Sequence, residues 1–488
     1  MNTVLDFVVN LFGNAPIGVQ ILDWVVLGII MLSWISLPTL LVTGYRYSRR
    51  FQRRRCAGNQ DEAAGRGEAT VVRHEEDFLW VFVVPALNEE VTIADSVARL
   101  QRTQATHAVF LVVNDGSDDT TGEVLAGIDD PRLHVMTRMA PRARRGKADA
   151  LNDAWEHLRS DLLLQPEFAG WSPEDVIVAI VDADGRLDPA APGVVSELFA
   201  DPQVGGVQTL VRIYNRRGWL TWGQDVEFST FGRVYQHGRS GWGSANMGGN
   251  GQFNRLSALT HLAVLDRPGR HSVDEDRERM VPGPWRDKLT EDQDLGVRMI
   301  QAGWANLQTN ETSVDQQGLN SLRRLYKQRT RWAQGNWQAF SLLPTVWREH
   351  LGLAAKIDAI YYLLTPALQL ITGIGFATSV VVIAVELFLG HPITFGAWWT
   401  VIIFLGLSFG PGIWALTLRQ KRWYAPLMAL LLVIPYSVYA WLVFPVLLSS
   451  LIRQLLGRNS WTKTSRESLN RTDAETEAGA EAEATVAG

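Results

Sequence analysis

At 488 residues the chain is too long for one ordinary domain, and 47% hydrophobic content with 19 Trp is rich for a protein wholly in water. A formal net charge of -5 gives no global attraction to nucleic acid. The single cysteine, Cys56, excludes an intramolecular disulfide framework and a Cys-rich zinc site, as suits a reducing compartment.

Trp24 to Tyr45 is a run of 22 uncharged residues, long enough to cross about 30 Å of hydrocarbon. RYSRRFQRRR follows, and its arginines put that end of the span in the cytoplasm by the positive-inside rule. A cleavable signal would carry charge before the apolar stretch and a small-residue site after it, so residues 1–52 read as a membrane anchor. Residues 53–77 are charged and Gly/Ala-rich, and read as a linker.

A large domain, 78–317, then opens with strands and helices in alternation. The apolar run Phe78–Val84 breaks at Pro85 and leads through Asn88 and Glu89 into the amphipathic TIADSVARLQ. Val109–Val113 is a second buried-looking strand, ending at Asp115, and Val176–Val181 is a third, ending at Asp182 and Asp184. Continuous β-branched runs followed by helices predict an α/β domain, a mostly parallel sheet with helices on both faces. Ligands of such sheets sit beyond the carboxyl ends of the strands, where these acids fall. Asp182 and Asp184 share one side of an extended strand end. A nucleotide diphosphate needs a divalent cation between itself and carboxylates, and magnesium or manganese suits oxygen ligands. One acid can bind the metal while the other holds ribose.

GRSGWGSANMGGNGQF is Gly-rich but lacks the strand–loop–Lys–Ser/Thr order of a P-loop, which excludes that form of nucleotide hydrolysis. TEDQDLGVRM reads as a helix start capped by Thr290 with acids in its first turn, and also as a site for a catalytic carboxylate. Residues 318–356 contain LRRLYKQRTRWAQGNWQ, basic over much of its circumference, with Tyr326, Trp332 and Trp337 expected at the lipid interface. Ala359–Val385, Pro392–Leu418 and Trp423–Ile452 are uncharged runs that make 357–455 a C-terminal transmembrane region. The last run has one side too many: RQKR before it and Arg453 and Arg458 after it all demand the cytoplasm. Pro426, Pro435 and Pro445 permit a kink or re-entrant path. The acidic, Ala-rich tail 456–488 reads as disordered.

The ordered series PALNEE, NDGSDD, GKADALN, DADG, GGNGQF, TED and QRTRW resembles glycosyltransferase family 2, in its membrane-integrated branch of cellulose, hyaluronan and poly-N-acetylglucosamine synthases. The resemblance spans about Phe78 to Trp337. It implies a GT-A-type nucleotide-sugar-binding domain on the cytoplasmic side of a multi-pass cell-membrane protein. Carried over, it implies that Asp115 binds the uracil or ribose of a UDP-sugar and that Lys147 contacts the donor, with Arg145 nearby. Asp182 and Asp184 supply donor and metal contacts, with Asp184 the stronger ligand of magnesium or manganese. Asp292 is the general base, and Gln328, Arg331 and Trp332 meet the diphosphate and the acceptor end. Asn88 and Glu89 are expected on the donor, and Gly249 and Asn250 against the acceptor. Where the cellulose synthases carry a Cys-containing motif, this chain has GGNG, which leaves the acceptor open. One reading extends a β-linked polysaccharide; the alternative transfers one sugar to a lipid such as diacylglycerol. Against a third reading, a catalytically dead scaffold or transporter, stands the presence of every expected acid and base.

Overall fold

The computed structural model describes residues 17–63, 73–266, 283–348, 351–390, 412, 413, 416, 417 and 423–458. Ile17–Ala63 is a single helix, α1. It runs through residues 53–63, expected as linker, because Arg, Gln, Glu and Ala are good helix formers and charge alone does not stop a helix. Residues 64–72 of that expected linker lie outside the described residues.

The catalytic domain follows in the order β1 (Leu79–Ala86), α2 (Ile93–Leu100), β2 (Ala108–Asn114), α3 (Thr121–Ala126), β3 (Leu133–Thr137), α4 (Lys147–Ser160), β4 (Val176–Ile180) and β5 (Arg186–Leu187). It continues with α5 (Ala191–Phe199), β6 (Val204–Ile213), α6 (Trp219–Thr230), α7 (His237–Ser240), β7 (Gln252–Arg255), α8 (Leu256–Leu265), α9 (Glu291–Gln301) and β8 (Ala305–Gln316). The strands form one sheet in the order β3-β2-β1-β4-β7-β6-β8-β5. β3, β2, β1 and β4 are parallel throughout. Beyond β4 the sheet is mixed: β7 is antiparallel to both neighbours, β6 and β8 are parallel, and β5 is antiparallel to β8. The expected parallel sheet is thus its first half.

Alternation along β1 shows why two helical layers are needed. Phe78, Trp80, Phe82 and Val84 enter a core with Ile93, Val97 and Leu100 of α2 and Phe199 of α5. Leu79, Val81 and Val83 point the other way, to Leu151, Ala154, Trp155 and Leu158 of α4. A strand apolar on both faces must be covered on both. The buried positions Ile93, Ser96, Val97 and Leu100 follow the three-four spacing of one helix face, which lays α2 on the first core.

The remaining described helices are α10 (Leu322–Gln338), α11 (Leu353–Phe388), α12 (Ala425–Ala440) and α13 (Val443–Leu455). Three stretches are long and apolar enough to cross a membrane: Ile17–Cys56, Leu353–Phe388 and Ala425–Leu455. The last is broken at Trp441 and Leu442, with Pro445 in the first turn of α13. α13 then packs on α10, Val446 and Leu447 closing against Ala333. Most of the run Pro392–Leu418 and all of 459–488 lie outside the described residues. α11 is bolted to the catalytic domain by a buried ion pair, Arg239 Nε to Asp358 Oδ2 at 2.6 Å.

Candidate active site

The parallel strands deliver their polar ends to one edge. After β1, the Asn88 amide and Asp118 exchange hydrogen bonds, Asn88 Nδ2 donating to Asp118 Oδ1 at 2.6 Å and Asp118 N–H to Asn88 Oδ1 at 3.0 Å. Glu89 accepts from the Thr92 hydroxyl at 2.9 Å. The Asn88 side chain ties the β1 loop to the β2 loop, and the Glu89 side chain braces the β1 loop itself. Asp115, after β2, is buried and accepts through Oδ1 from Arg138 at 2.5 Å and from the Arg144 backbone N–H at 2.9 Å. Burial pushes its carboxyl above the usual range, against the pull of those two partners. Arg138 also donates to Asp153 at 2.7 Å and to Asp149.

Lys147 begins α4 directly after Gly146, whose φ of +119° favours glycine. Its ammonium lies 2.6 Å from Asp182 Oδ1 and 3.7 Å from Glu291. Burial works against the charge, yet Asp182 and Glu291 outweigh it and hold the ammonium above its ordinary value. Asp182, two residues beyond β4, takes its backbone position from Asn250, whose side-chain oxygen accepts the Asp182 N–H at 3.1 Å. Asp184 follows in the same turn, half-buried. Asn250 itself sits beneath the strand ends, donating to Gln316 at 3.2 Å. It brackets Asp182.

Asp292 is the second residue of α9. Gly249, at φ +81°, passes so close that a Cβ there would lie 2.8 Å from Asp292 Oδ2. The loop therefore needs glycine twice over, for its backbone and for space. Burial, then the neighbouring charge of Glu291, raise the Asp292 carboxyl to about 7, with Lys147 and the Gln293 N–H opposing. Thr290 occupies the cap position, but its hydroxyl donates to Gln293 Oε1 at 3.2 Å and caps no backbone N–H. The expected cap is corrected: the acids of the first turn, not a side-chain cap, answer the helix dipole.

α10 approaches this turn with one face. A Cβ on Gly335 would meet Thr290 Oγ1 at 2.4 Å, and Gln338 accepts the Leu289 N–H at 3.0 Å. Gln328 and Arg331 share that face with Gly335 at helical spacing; Gln328 is buried and Arg331 half-buried. Trp332 packs edge-on against Phe228, ring centroids 6.1 Å apart, with Arg329 over its ring at 4.4 Å. The aromatic residues expected at the lipid interface have protein partners. Tyr326 bonds Ser449 and the Pro445 carbonyl, and Trp337 donates to Ser450 at 3.0 Å, so both dock α13.

Several residues here carry no sequence signal. Arg138 lies between NDGSDD and GKADALN, outside both motifs. Tyr362 sits inside an apolar run, yet its hydroxyl accepts from Asn246 at 2.6 Å and from Gln293 at 3.3 Å.

Carboxylates and cations at the open ends of a mixed α/β sheet, with apolar helices beside it, define a glycosyltransferase of GT-A architecture associated with a membrane. The chain belongs to the glycosyltransferase-like family 2, whose model matches residues 80–335. A β-monoglucosyldiacylglycerol synthase of Trichormus variabilis is 27% identical over 58% of this chain and 54% of its own length. A poly-β-1,6-N-acetyl-D-glucosamine synthase of Staphylococcus epidermidis is 24% identical over 56% and 58%. The chain thus spans about half the length of the curated relatives it matches. A mannosyltransferase of Pyrobaculum calidifontis, solved with GDP-Man and Mn2+, shares the fold at a TM-score of 0.53 and 16% identity, over 90% of this chain and 99% of its own.

Proposed function

We propose that the protein transfers a sugar from a UDP-sugar to a growing β-linked polysaccharide at the cytoplasmic face of the cell membrane, inverting the anomeric carbon. The carrying observation is Asp292, a carboxyl raised to about 7 beside a glycine loop and a basic helix. A base tuned near the working pH takes the proton from the acceptor hydroxyl as that oxygen attacks. Asp115 holds the uracil or ribose, its loop kept in shape by Asn88 and Glu89. Lys147 and Arg331 face the diphosphate, joined by Asp182 and Gln328. Trp332, Gly249 and Asn250 line the acceptor side, Asn250 through the turn it supports. The arginines of α1 and the apolar helices support a multi-pass protein with this domain in the cytoplasm.

Magnesium or manganese fits the donor set. Among the described residues no group of three or more His, Cys, Asp or Glu gathers to hold a metal. These ions need only one or two carboxylates when substrate phosphates complete the shell. Asp184 would hold the ion, since Asp182 is bonded to Lys147. Bound there, the metal supplies Lewis-acid stabilisation of the departing diphosphate. Excess EDTA should abolish transfer and added magnesium or manganese restore it; full turnover in EDTA counts against the assignment.

A second reading, one sugar placed on a lipid such as diacylglycerol, is favoured by the higher identity of the β-monoglucosyldiacylglycerol synthase, 27% against 24%. Membranes incubated with radiolabelled UDP-glucose and UDP-N-acetylglucosamine separate the two. Label in high-molecular-weight material supports the first reading, and label confined to the solvent-extractable fraction replaces it with the second.

A further inference from the structure

We propose that Tyr362, on the membrane-side helix α11, is a positioning residue that fixes where α9 presents Asp292. The proposal rests on the reading of Asp292 as base. α11 reaches the catalytic domain through the polar side chains of Asp358 and Tyr362. The Tyr362 hydroxyl accepts from Asn246 Nδ2 at 2.6 Å and from Gln293 Nε2 at 3.3 Å, so it joins α11 to the residue adjoining Asp292. Asn246 is gripped from two further sides. Its backbone N–H donates to Gln236 at 2.7 Å, and it lies so close to α9 that a Cβ on Gly296 would meet its side-chain oxygen at 2.5 Å. Asn246 also opens the loop that carries Gly249 past Asp292. The two walls about Asp292, the glycine loop and the first turn of α9, are therefore tied to one tyrosine.

That tyrosine is itself anchored. Arg239 stacks over its ring at 4.6 Å, and the same guanidinium holds Asp358, one turn earlier on α11, at 2.6 Å. Asp358 and Tyr362, four apart, face the domain together. A helix that needed only apolar packing here would carry Phe or Leu. The hydroxyl adds a fixed distance between the membrane side and the reacting carboxylate. A displaced base costs turnover far more than it costs donor affinity.

The test compares Tyr362→Phe, Asn246→Ala, their double variant and Asp292→Asn in the full chain, with rates per mole of folded protein using UDP-glucose and UDP-N-acetylglucosamine. Tyr362→Phe should lower kcat about tenfold and leave donor KM within about twofold. Tyr362→Phe removes the bonds from both Asn246 and Gln293, so the loss in the double variant should be smaller than the product of the two single losses, the shared Asn246–Tyr362 bond being lost only once. Gln293→Met reaches the same bridge from the other side and should also lower kcat with little change in KM. If Tyr362→Phe keeps parental kcat while Asp292→Asn is inactive, the positioning role is overturned and the base stands. Losses that multiply in the double variant, or that lie in KM, also overturn it. Turnover retained by Asp292→Asn sinks base and positioning role together.

Discussion

Arg138 and Lys147 are both cations set among carboxylates at the strand ends, yet the two clusters match their charges to different degrees. Arg138 spends one nitrogen on each of Asp115, Asp149 and Asp153, all of them buried. Its planar fork leaves each carboxylate with a cationic partner. Lys147 is a point charge that lies close to Asp182 and further from Glu291, with Asp292 also in its field. One ammonium cannot satisfy so many acids; burial first, and then the neighbouring charge of Glu291, raise the Asp292 carboxyl. On the proposed reading, the Arg138 cluster shapes the nucleotide pocket and the Lys147 cluster holds the proton-accepting group.

Substitutions can break this contrast. The largest effect is expected for Asp292→Asn, which keeps size but loses the proton acceptor. Turnover should fall about 10²–10⁴-fold with UDP affinity nearly unchanged, as read by steady-state rates and UDP competition. Collapse of UDP binding would make Asp292 a donor-site residue instead. Arg138→Met should act on stability, since it strands three buried acids. A loss of about 3–5 kcal/mol is expected, measured by unfolding of the solubilised protein; a stable variant would mean the cluster is not a clamp.

Acidity distinguishes the clusters next. Below about 7 the Asp292 carboxyl is protonated and cannot act as base, so turnover should drop about tenfold per pH unit and level off above 7. The sign for stability is opposite. The folded state binds this proton more tightly than the unfolded chain, whose value is near 3.8, so the contribution is present below 3.8 and lost as pH rises through 7. Asp292→Asn should therefore gain on the parent in stability at high pH. The smallest effects are shifts of the midpoint: Lys147→Met should move it up by about one unit and Glu291→Gln down by a similar amount. Equal movement in one direction would remove the charge account of Asp292.

The strand ends were legible because β1, β2 and β4 are continuous apolar runs and their acids follow directly. β8, ANLQTNETSVDQ, has no such run, so the mixed half of the sheet left no mark on the apolar pattern. Glu291 beside Asp292 could be read from adjacency. Gly249, Arg138 and Tyr362 reach their partners only through folding across distant segments. The docking of Tyr326 and Trp337 on α13 was not legible, because an aromatic ring with one polar atom suits a membrane interface and a helix–helix seam equally well.

The length of α1 has a mechanical consequence. Its 47 residues make a rod of about 70 Å, against roughly 30 Å of hydrocarbon. Near one end Val26 lies against Gly375 of α11; further along, Leu40 meets Gly238, Gly44 meets His237, and Tyr47 and Phe51 pack on the sheet's core. Beyond them Arg55 reaches Glu197 at 3.1 Å. One unbroken screw thus engages two seams at once. Adding a single residue between them would rotate one seam by about 100° against the other, whereas a full turn would restore the phase and only lift the sheet by about 5.4 Å. Separation and angular setting of the two seams are written into one pitch.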